Sequence, residues 1–317
     1  MPGDALDWMD DELTRAGRAR TGDVEVVRVR PWGSVWRAPT DAGTVFLKEP
    51  AAATAFEVPL YDLLMRVVPG RILTPIALDV DRGWLLLPDG GPVVSEQHDG
   101  EALLGPMERI APQYAQLQLD LAPHVDDLLE VGLADMRPER MLERFDEALG
   151  SVHPGPEHAA RLRQVAELRP WFGEASARLS ELPGGASLDH NDLHGGNVFL
   201  DPGGGARFFD WGDAVVSHPF ASLLVLRSVV RWLQGVHEET PAERRVVDAY
   251  LEPFGPVTDE AEVRETVELA CELGKVARSL VWGRAVAPMP PDEDDPDGFR
   301  TAPVDWLLEV LDGPAVS

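Results

Sequence analysis

After one short helical stretch, apolar and polar positions alternate through most of the first ninety residues. Residues 4–20 place Leu6, Met9, Leu13 and Ala16 on one face of a helix. From 24 to 30, Val24, Val26, Val27 and Val29 interleave with Glu25, Arg28 and Arg30, the pattern of a strand. Pro31-Trp32-Gly33-Ser34 turns, Val35-Trp36-Arg37-Ala38 resumes a strand, Asp41-Ala42-Gly43 turns again, and residues 44–48 form a third strand. A helix is predicted at about 59–68, with Pro59 tolerated in its first turn. Two more strands, 72–80 and 84–87, are joined by Asp81-Arg82-Gly83. Together these elements predict a small antiparallel sheet with one helix. Pro88-Asp89-Gly90-Gly91-Pro92 is the clearest breaker cluster. It divides the chain into an N-terminal lobe, 1–88, and a C-terminal lobe, 89–317.

Beyond that cluster the period becomes helical, over about 101–121, 124–131, 138–149, 157–181, 219–237, 241–252 and 259–287. Thr240-Pro241-Ala242-Glu243 is a capping box with proline at the first helical position. The exception is 186–210, where Val198-Phe199-Leu200 and Arg207-Phe208-Phe209 flank Asp201-Pro202-Gly203-Gly204-Gly205 as a hairpin. Residues 288–301 form an irregular acidic loop, and a last short helix covers about 303–311. The expected class is α+β: a small antiparallel sheet lobe, a hinge, and a mainly helical lobe with one loop-and-hairpin insert. Polar loops between such lobes are where ligands bind.

Composition narrows the function. A chain of 317 residues suits two cores better than one. The longest apolar run, 220–230, is broken by Ser222, Arg227 and Ser228, so no membrane span is expected. Asp4, Asp7, Asp10 and Asp11 are the opposite of a signal peptide's basic start. A single cysteine, Cys271, excludes an internal disulfide and points to a reducing cytoplasm. The net charge of −27 would repel a phosphate backbone, which argues against nucleic acid as a partner. The same acidity fits either a solvated surface or attraction of a cationic substrate, and charge alone does not separate the two. Of 28 basic residues only Lys48 and Lys275 are lysines. A lysine kept among arginines suits a site that needs a compact point charge.

The chemistry concentrates in the insert, Leu188-Asp189-His190-Asn191-Asp192-Leu193-His194-Gly195-Gly196-Asn197. Asp192 and Asn197 occupy a Gly-rich loop just before the hairpin, and Phe209-Asp210-Trp211-Gly212 ends its far strand. Two carboxylates and an amide so spaced can converge on one point, and hard oxygen ligands suit Mg²⁺. Phosphoryl transfer uses such a set: one carboxylate toward the acceptor hydroxyl, a carboxylate and an amide toward metal. Taken singly, Asp192 also suits a loop cap, Asp210 and Asn197 suit turns, and Lys48 suits a guarded strand.

His-x-Asp-Leu-x-x-x-Asn followed by Asp-x-Gly is the kinase catalytic-loop and metal-loop pair. With His194 as the second histidine, the loop resembles that of the aminoglycoside phosphotransferase and choline kinase family, over roughly 24–286. The resemblance implies a protein-kinase-like two-lobe fold and an ATP- or GTP-dependent, Mg²⁺-assisted O-phosphotransferase. It implies Asp192 as the catalytic base, Asn197 and Asp210 as Mg²⁺ ligands, and His190 and His194 as supports of the loop. It further implies Lys48 at the α- and β-phosphates, Glu57 as its helix partner, and Leu87 to Asp89 as the hinge at the base. Glu57 also reads as part of a capping box, Thr54-Ala55-Phe56-Glu57. The phosphate loop carries a single glycine, so Gly33 and Ser34 are its candidate backbone donors. After Asp210 the family's Asp-Pro…Asp-Leu stretch is replaced by Ser217-His218-Pro219-Phe220-Ala221-Ser222-Leu223.

The acceptor is expected to be a small-molecule hydroxyl, with aminoglycosides, amino sugars and aminoalcohols among the options. Candidate contacts are Asp126, Asp127, Glu130, Asp135, Glu309 and Asp312, which would suit an amine, although each also suits a solvated acidic face. A monomer is favoured. A non-catalytic nucleotide-binding module is the alternative. A protein kinase is disfavoured, because no Ala-Pro-Glu and no long activation segment follow Asp210.

Overall fold

The computed structural model describes residues 3–153, 155–256, 259–290, 295 and 297–313. It divides into two compact units, Met1–His98 with Gly195–Gly212, and Asp99–His194 with Asp213–Ser317. The boundary expected at 88/89 thus falls inside the first unit, which also takes up the hairpin of the insert.

The first unit holds a five-stranded sheet of β1 (Glu25–Arg30), β2 (Gly33–Thr40), β3 (Gly43–Pro50), β4 (Ala77–Asp79) and β5 (Trp84–Pro88). The order is β1-β2-β3-β5-β4, and every neighbouring pair is antiparallel. Gly43 turns β2 into β3 at φ +108°, a conformation that only glycine adopts without strain. One face of the sheet carries Trp36, Ala38, Val45, Leu47, Trp84 and Leu86. These pack on Ala5, Trp8, Met9 and Leu13 of helix α1 (Gly3–Arg15), with the Trp8 and Trp84 rings 5.6 Å apart. Helix α1 is shorter than 4–20 because Gly17 leaves the helical region at φ +69°. β1 hides little of its apolar sequence: Val26, Val27 and Val29 are 62%, 50% and 63% exposed.

Helix α2 (Glu57–Val67) starts two residues before Pro59, whose missing N–H falls among donors the first turn leaves unpaired anyway. The strand expected over 72–80 is confined to β4. Ile72 instead bridges to Phe208, and Leu73 N–H donates to Phe208 O at 3.2 Å. Phe208 belongs to the hairpin Val198–Leu200/Ala206–Phe208, so this bridge ties the hairpin to the sheet unit.

The second unit is mainly helical, as expected. Its longer helices are Leu104–Leu121, Met141–Ser151, Arg169–Glu181, Leu223–Gln234, Pro241–Leu251 and Glu260–Val286. The stretch read as one helix over 157–181 is two, Ala159–Glu167 and Arg169–Glu181, because Pro170 lacks the N–H that would continue the ladder. Thr240 Oγ1 caps Pro241–Leu251 by accepting from Glu243 N–H. The Glu243 carboxylate, expected to reach back, is gripped instead by Arg227 and Arg231, each at 2.7 Å. Ser187–Asp189 joins Ala134–Met136 and Val215–Ser217, two strands that were not expected, in a small sheet. Of the acidic stretch 288–301, residues 291–294 and 296 lie outside the described residues. No helix among the described residues is long and apolar enough to cross a membrane.

Gln118 fixes the strand that leads into the loop carrying Asp192. Its side-chain amide donates to Leu188 O at 2.8 Å and to Pro219 O and Ser222 Oγ, and its main-chain carbonyl accepts from Ser187 Oγ at 2.6 Å. Tyr114 Oη donates to Leu188 O and accepts from His190 N–H at 2.7 Å.

Candidate active site

In the first unit, Lys48 Nζ lies 2.7 Å from Glu57 Oε1 and 2.5 Å from Asp210 Oδ1. Glu57 is fully buried at the start of α2 and also accepts from Trp211 N–H at 3.1 Å. The Lys48–Glu57 separation of nine residues closes because Ala52–Thr54 forms a single tight turn. Thr54 Oγ1 donates to Trp32 O at 2.7 Å. The alternative capping box therefore does not form: its hydroxyl serves Trp32 and its carboxylate serves Lys48. Burial opposes charge on Lys48, but Asp210 and Glu57 outweigh it and hold the ammonium above its ordinary range. Burial pushes the Glu57 carboxyl up, and Lys48 opposes it. Asp210 adopts a left-handed φ of +62°, a local strain that Asp bears better than most residues.

Lys48, Glu57 and Asp210 line a cavity of about 580 Å³ with Leu87, Asp89, Asn197, Phe46, Arg28 and Arg30. Gly33 and Ser34 are not among its lining residues; they begin β2, where a Cβ on Gly33 would come 3.0 Å from Glu49 O. Asp89 N–H donates to Thr44 O at 3.0 Å, and the Asp89 carboxylate accepts from Gly91 N–H at 2.9 Å. Phe199 and Phe209, stacked at 4.5 Å, form an apolar wall. Gly90 presses on that wall, and a Cβ there would meet Phe199 Cε2 at 2.5 Å. We expect Gly90→Ala to cost about 1–3 kcal/mol of stability through overpacking, read by denaturant melts. An unchanged melt would show that Phe199 is free to move.

In the second unit, Asp192 faces Arg278 of the long helix. Arg278 Nη2 donates to Asp192 Oδ1 at 2.6 Å, and Nη1 donates to Asn191 O at 2.6 Å and Asp213 Oδ2 at 2.9 Å. The guanidinium lies 5.7 Å from the Trp282 ring and 5.6 Å from that of Trp306. His194 Nε2 stands 3.3 Å from Asp192 Oδ2. Burial would raise the Asp192 carboxyl, but Arg278, with His194 and His190, holds it well below the usual carboxylate range. Asn191 carries the left-handed φ, +60°, that turns the loop here. Arg278 and Asp213 were not picked out from the sequence. The available signal was a basic residue within a helix stretch that is otherwise almost continuously buried.

His218 and Ser222 lie in the Ser217–Leu223 stretch that follows Asp210. His218 Nδ1 accepts from Phe220 N–H at 3.2 Å and so caps the turn Pro219–Ser222. Burial lowers its pKa to about 4, so the ring is neutral, as an acceptor must be. Ser222 Oγ donates to Asp189 Oδ1 at 2.5 Å; burial raises the Asp189 pKa to about 6. Of the six acids named for the acceptor, Asp126, Asp127, Glu130, Glu309 and Asp312 are exposed, and Asp135 is held by Arg137 at 2.7 Å.

These features place the chain among known enzymes. The phosphotransferase enzyme family matches residues 35–265, and the chain belongs to that family. It is similar to choline kinase from Streptococcus pneumoniae, with a TM-score of 0.62 and 14% identity over 96% of this chain and 99% of that one. It is also similar to macrolide 2'-phosphotransferase from Brachybacterium faecium, at TM-score 0.56 and 18% identity over 91% and 100%. An aminoglycoside phosphotransferase from Streptomyces rimosus, in complex with ADP and streptomycin, gives 0.50 and 19% over 86% and 98%. At such identities the likeness shows a shared, kinase-like α+β fold. By sequence, no curated protein matches the chain significantly.

Proposed function

We propose that the protein transfers the γ-phosphate of ATP or GTP to a hydroxyl of a small molecule, with Mg²⁺. The observation that carries this is the Lys48–Glu57–Asp210 cluster, which lines one cavity together with Asn197 and the Leu87–Asp89 segment. Lys48 is held charged to meet phosphate oxygens, and Glu57 fixes its place. Asn197 and Asp210 supply hard oxygens to one cavity, a donor set that fits Mg²⁺ completed by phosphate and water. Bound there, the ion would neutralise phosphate charge.

Asp192 is the proposed base. Because its carboxyl titrates far below neutrality, it is ionised throughout the physiological range. Such a carboxylate orients the hydroxyl by accepting its hydrogen bond and takes the proton as transfer completes, rather than abstracting it in advance. The loop supplies no nucleophile besides, so transfer is direct and in line, without a phosphoenzyme.

A cationic acceptor rests on the acidic surface alone, since the group beside Asp192 is an arginine. We further propose a reducing cytoplasm, on the single cysteine Cys271, and a monomer. The test is nucleotide turnover with Mg²⁺ across aminoglycosides, amino sugars, aminoalcohols and plain sugars, with Asp192→Ala as the blank. Turnover above the blank supports the reading and names the acceptor class. Stabilisation by ATP with no turnover across the panel favours a non-catalytic nucleotide sensor.

A further inference from the structure

The register of β1 against β2 shifts between Val26 and Arg28. Val27 is therefore an extra residue, a β-bulge of the kind that re-aims the side chains beside it. Beyond the bulge Arg28 pairs with Val35 and Arg30 with Gly33, and Val35 pairs in turn with Lys48 on β3. Paired residues project from the same face of a sheet. Arg28 and Lys48 thus flank Val35 on one face, and both line the cavity, as does Arg30. Arg28 Nη2 stands 3.7 Å from Asp210 Oδ2, on the other side of the carboxylate that Lys48 holds at 2.5 Å.

Three cations thus gather in one cavity of a chain whose net charge is −27. Two of the acids lining it, Glu57 and Asp210, already contact Lys48. The turn that would cradle phosphate has a single glycine, Gly33, and that residue does not line the cavity. From this arrangement we infer that Arg28, seconded by Arg30, is a side-chain clamp for the nucleotide's terminal phosphates, replacing the backbone amides of a glycine-rich loop.

A guanidinium presents two parallel donors to phosphate oxygens, which suits a clamp better than a lysine point charge. The Arg28 side chain is 41% exposed, so its long contact with Asp210 is weak and readily exchanged for a more highly charged partner. The inference rests on the reading that this cavity holds a nucleoside triphosphate.

Titration calorimetry with ATP, GTP, ADP, AMP and adenosine, on wild type, Arg28→Met and Arg28→Lys, tests it. Arg28→Met should weaken ATP about 10- to 100-fold, weaken ADP less, and leave adenosine unchanged. Arg28→Lys should fall between wild type and Arg28→Met for ATP. Equal weakening of ATP and adenosine would mean a structural role and overturn the clamp, as would unchanged ATP affinity in a variant that melts like wild type. In either case wild-type ATP binding leaves the proposed function standing. If wild type binds neither ATP nor GTP, the nucleotide reading fails and the clamp fails with it.

Discussion

Asp192→Asn should lower kcat by about 10²–10⁴-fold, the usual contribution of a positioned base, while ATP still stabilises the protein. The amide keeps the shape of the carboxylate but cannot take a proton. Arg278 retains Asp213 and the Asn191 carbonyl as partners, and the asparagine amide oxygen can still accept from it, so the loop keeps its hold on the long helix. The groups that line the proposed nucleotide cavity, Lys48, Glu57, Asn197 and Asp210, are untouched. The paired measurement is turnover of the best acceptor and the ATP-induced shift in Tm. Near wild-type turnover would remove Asp192 from the chemistry. Loss of the ATP shift together with turnover would mean that the substitution acts through folding.

The sequence was most legible where local chemistry decides the structure. The β2–β3 hairpin follows from Asp41-Ala42-Gly43, because Gly43 can take a φ that closes so tight a turn. Lys48 stood out by its rarity, and the structure finds it between two carboxylates. Asp192, Asn197 and Asp210 were visible as a spaced set of side-chain types in one loop and hairpin.

What stayed hidden depends on distant parts of the chain. The strands Ala134–Met136 and Val215–Ser217 are three residues each, too short for a period of two to register. Arg278 lies 86 residues beyond Asp192, and only the packing of the long helix brings them together. The bulge at Val27 is equally silent, because it is a property of pairing between strands. The family resemblance directed attention to the Gly33 turn for phosphate contacts, whereas the register turns Arg28 and Arg30 toward the cavity. The Thr54–Glu57 capping box fits the local pattern equally well, and was displaced by a buried lysine that offers Glu57 a stronger partner.

Arg278→Met should cost about 3–5 kcal/mol at neutral pH, the range for breaking one side of a buried ion pair, and should reverse part of the pH dependence of stability. Methionine can still pack against Trp282 and Trp306, so the change isolates the charge. It leaves the Asp192 and Asp213 carboxylates without the guanidinium they share. In the wild type the Asp192 pKa is depressed. Its contribution to stability is therefore present above the unfolded value, near 3.9, and is lost only as pH falls through the lower folded value. In the variant the leading opposing influence is gone and burial dominates, so the folded pKa rises. The ionised form is then penalised, and the variant should recover stability as pH falls from 7 toward 4.5, where the wild type gains nothing from this site. Urea melts of both proteins at several pH values measure this. Parallel stability curves would show that Arg278 does not set the charge state of Asp192. A shallower loss on acidification, together with an acid limb of kcat shifted to higher pH in the variant, would show that it does.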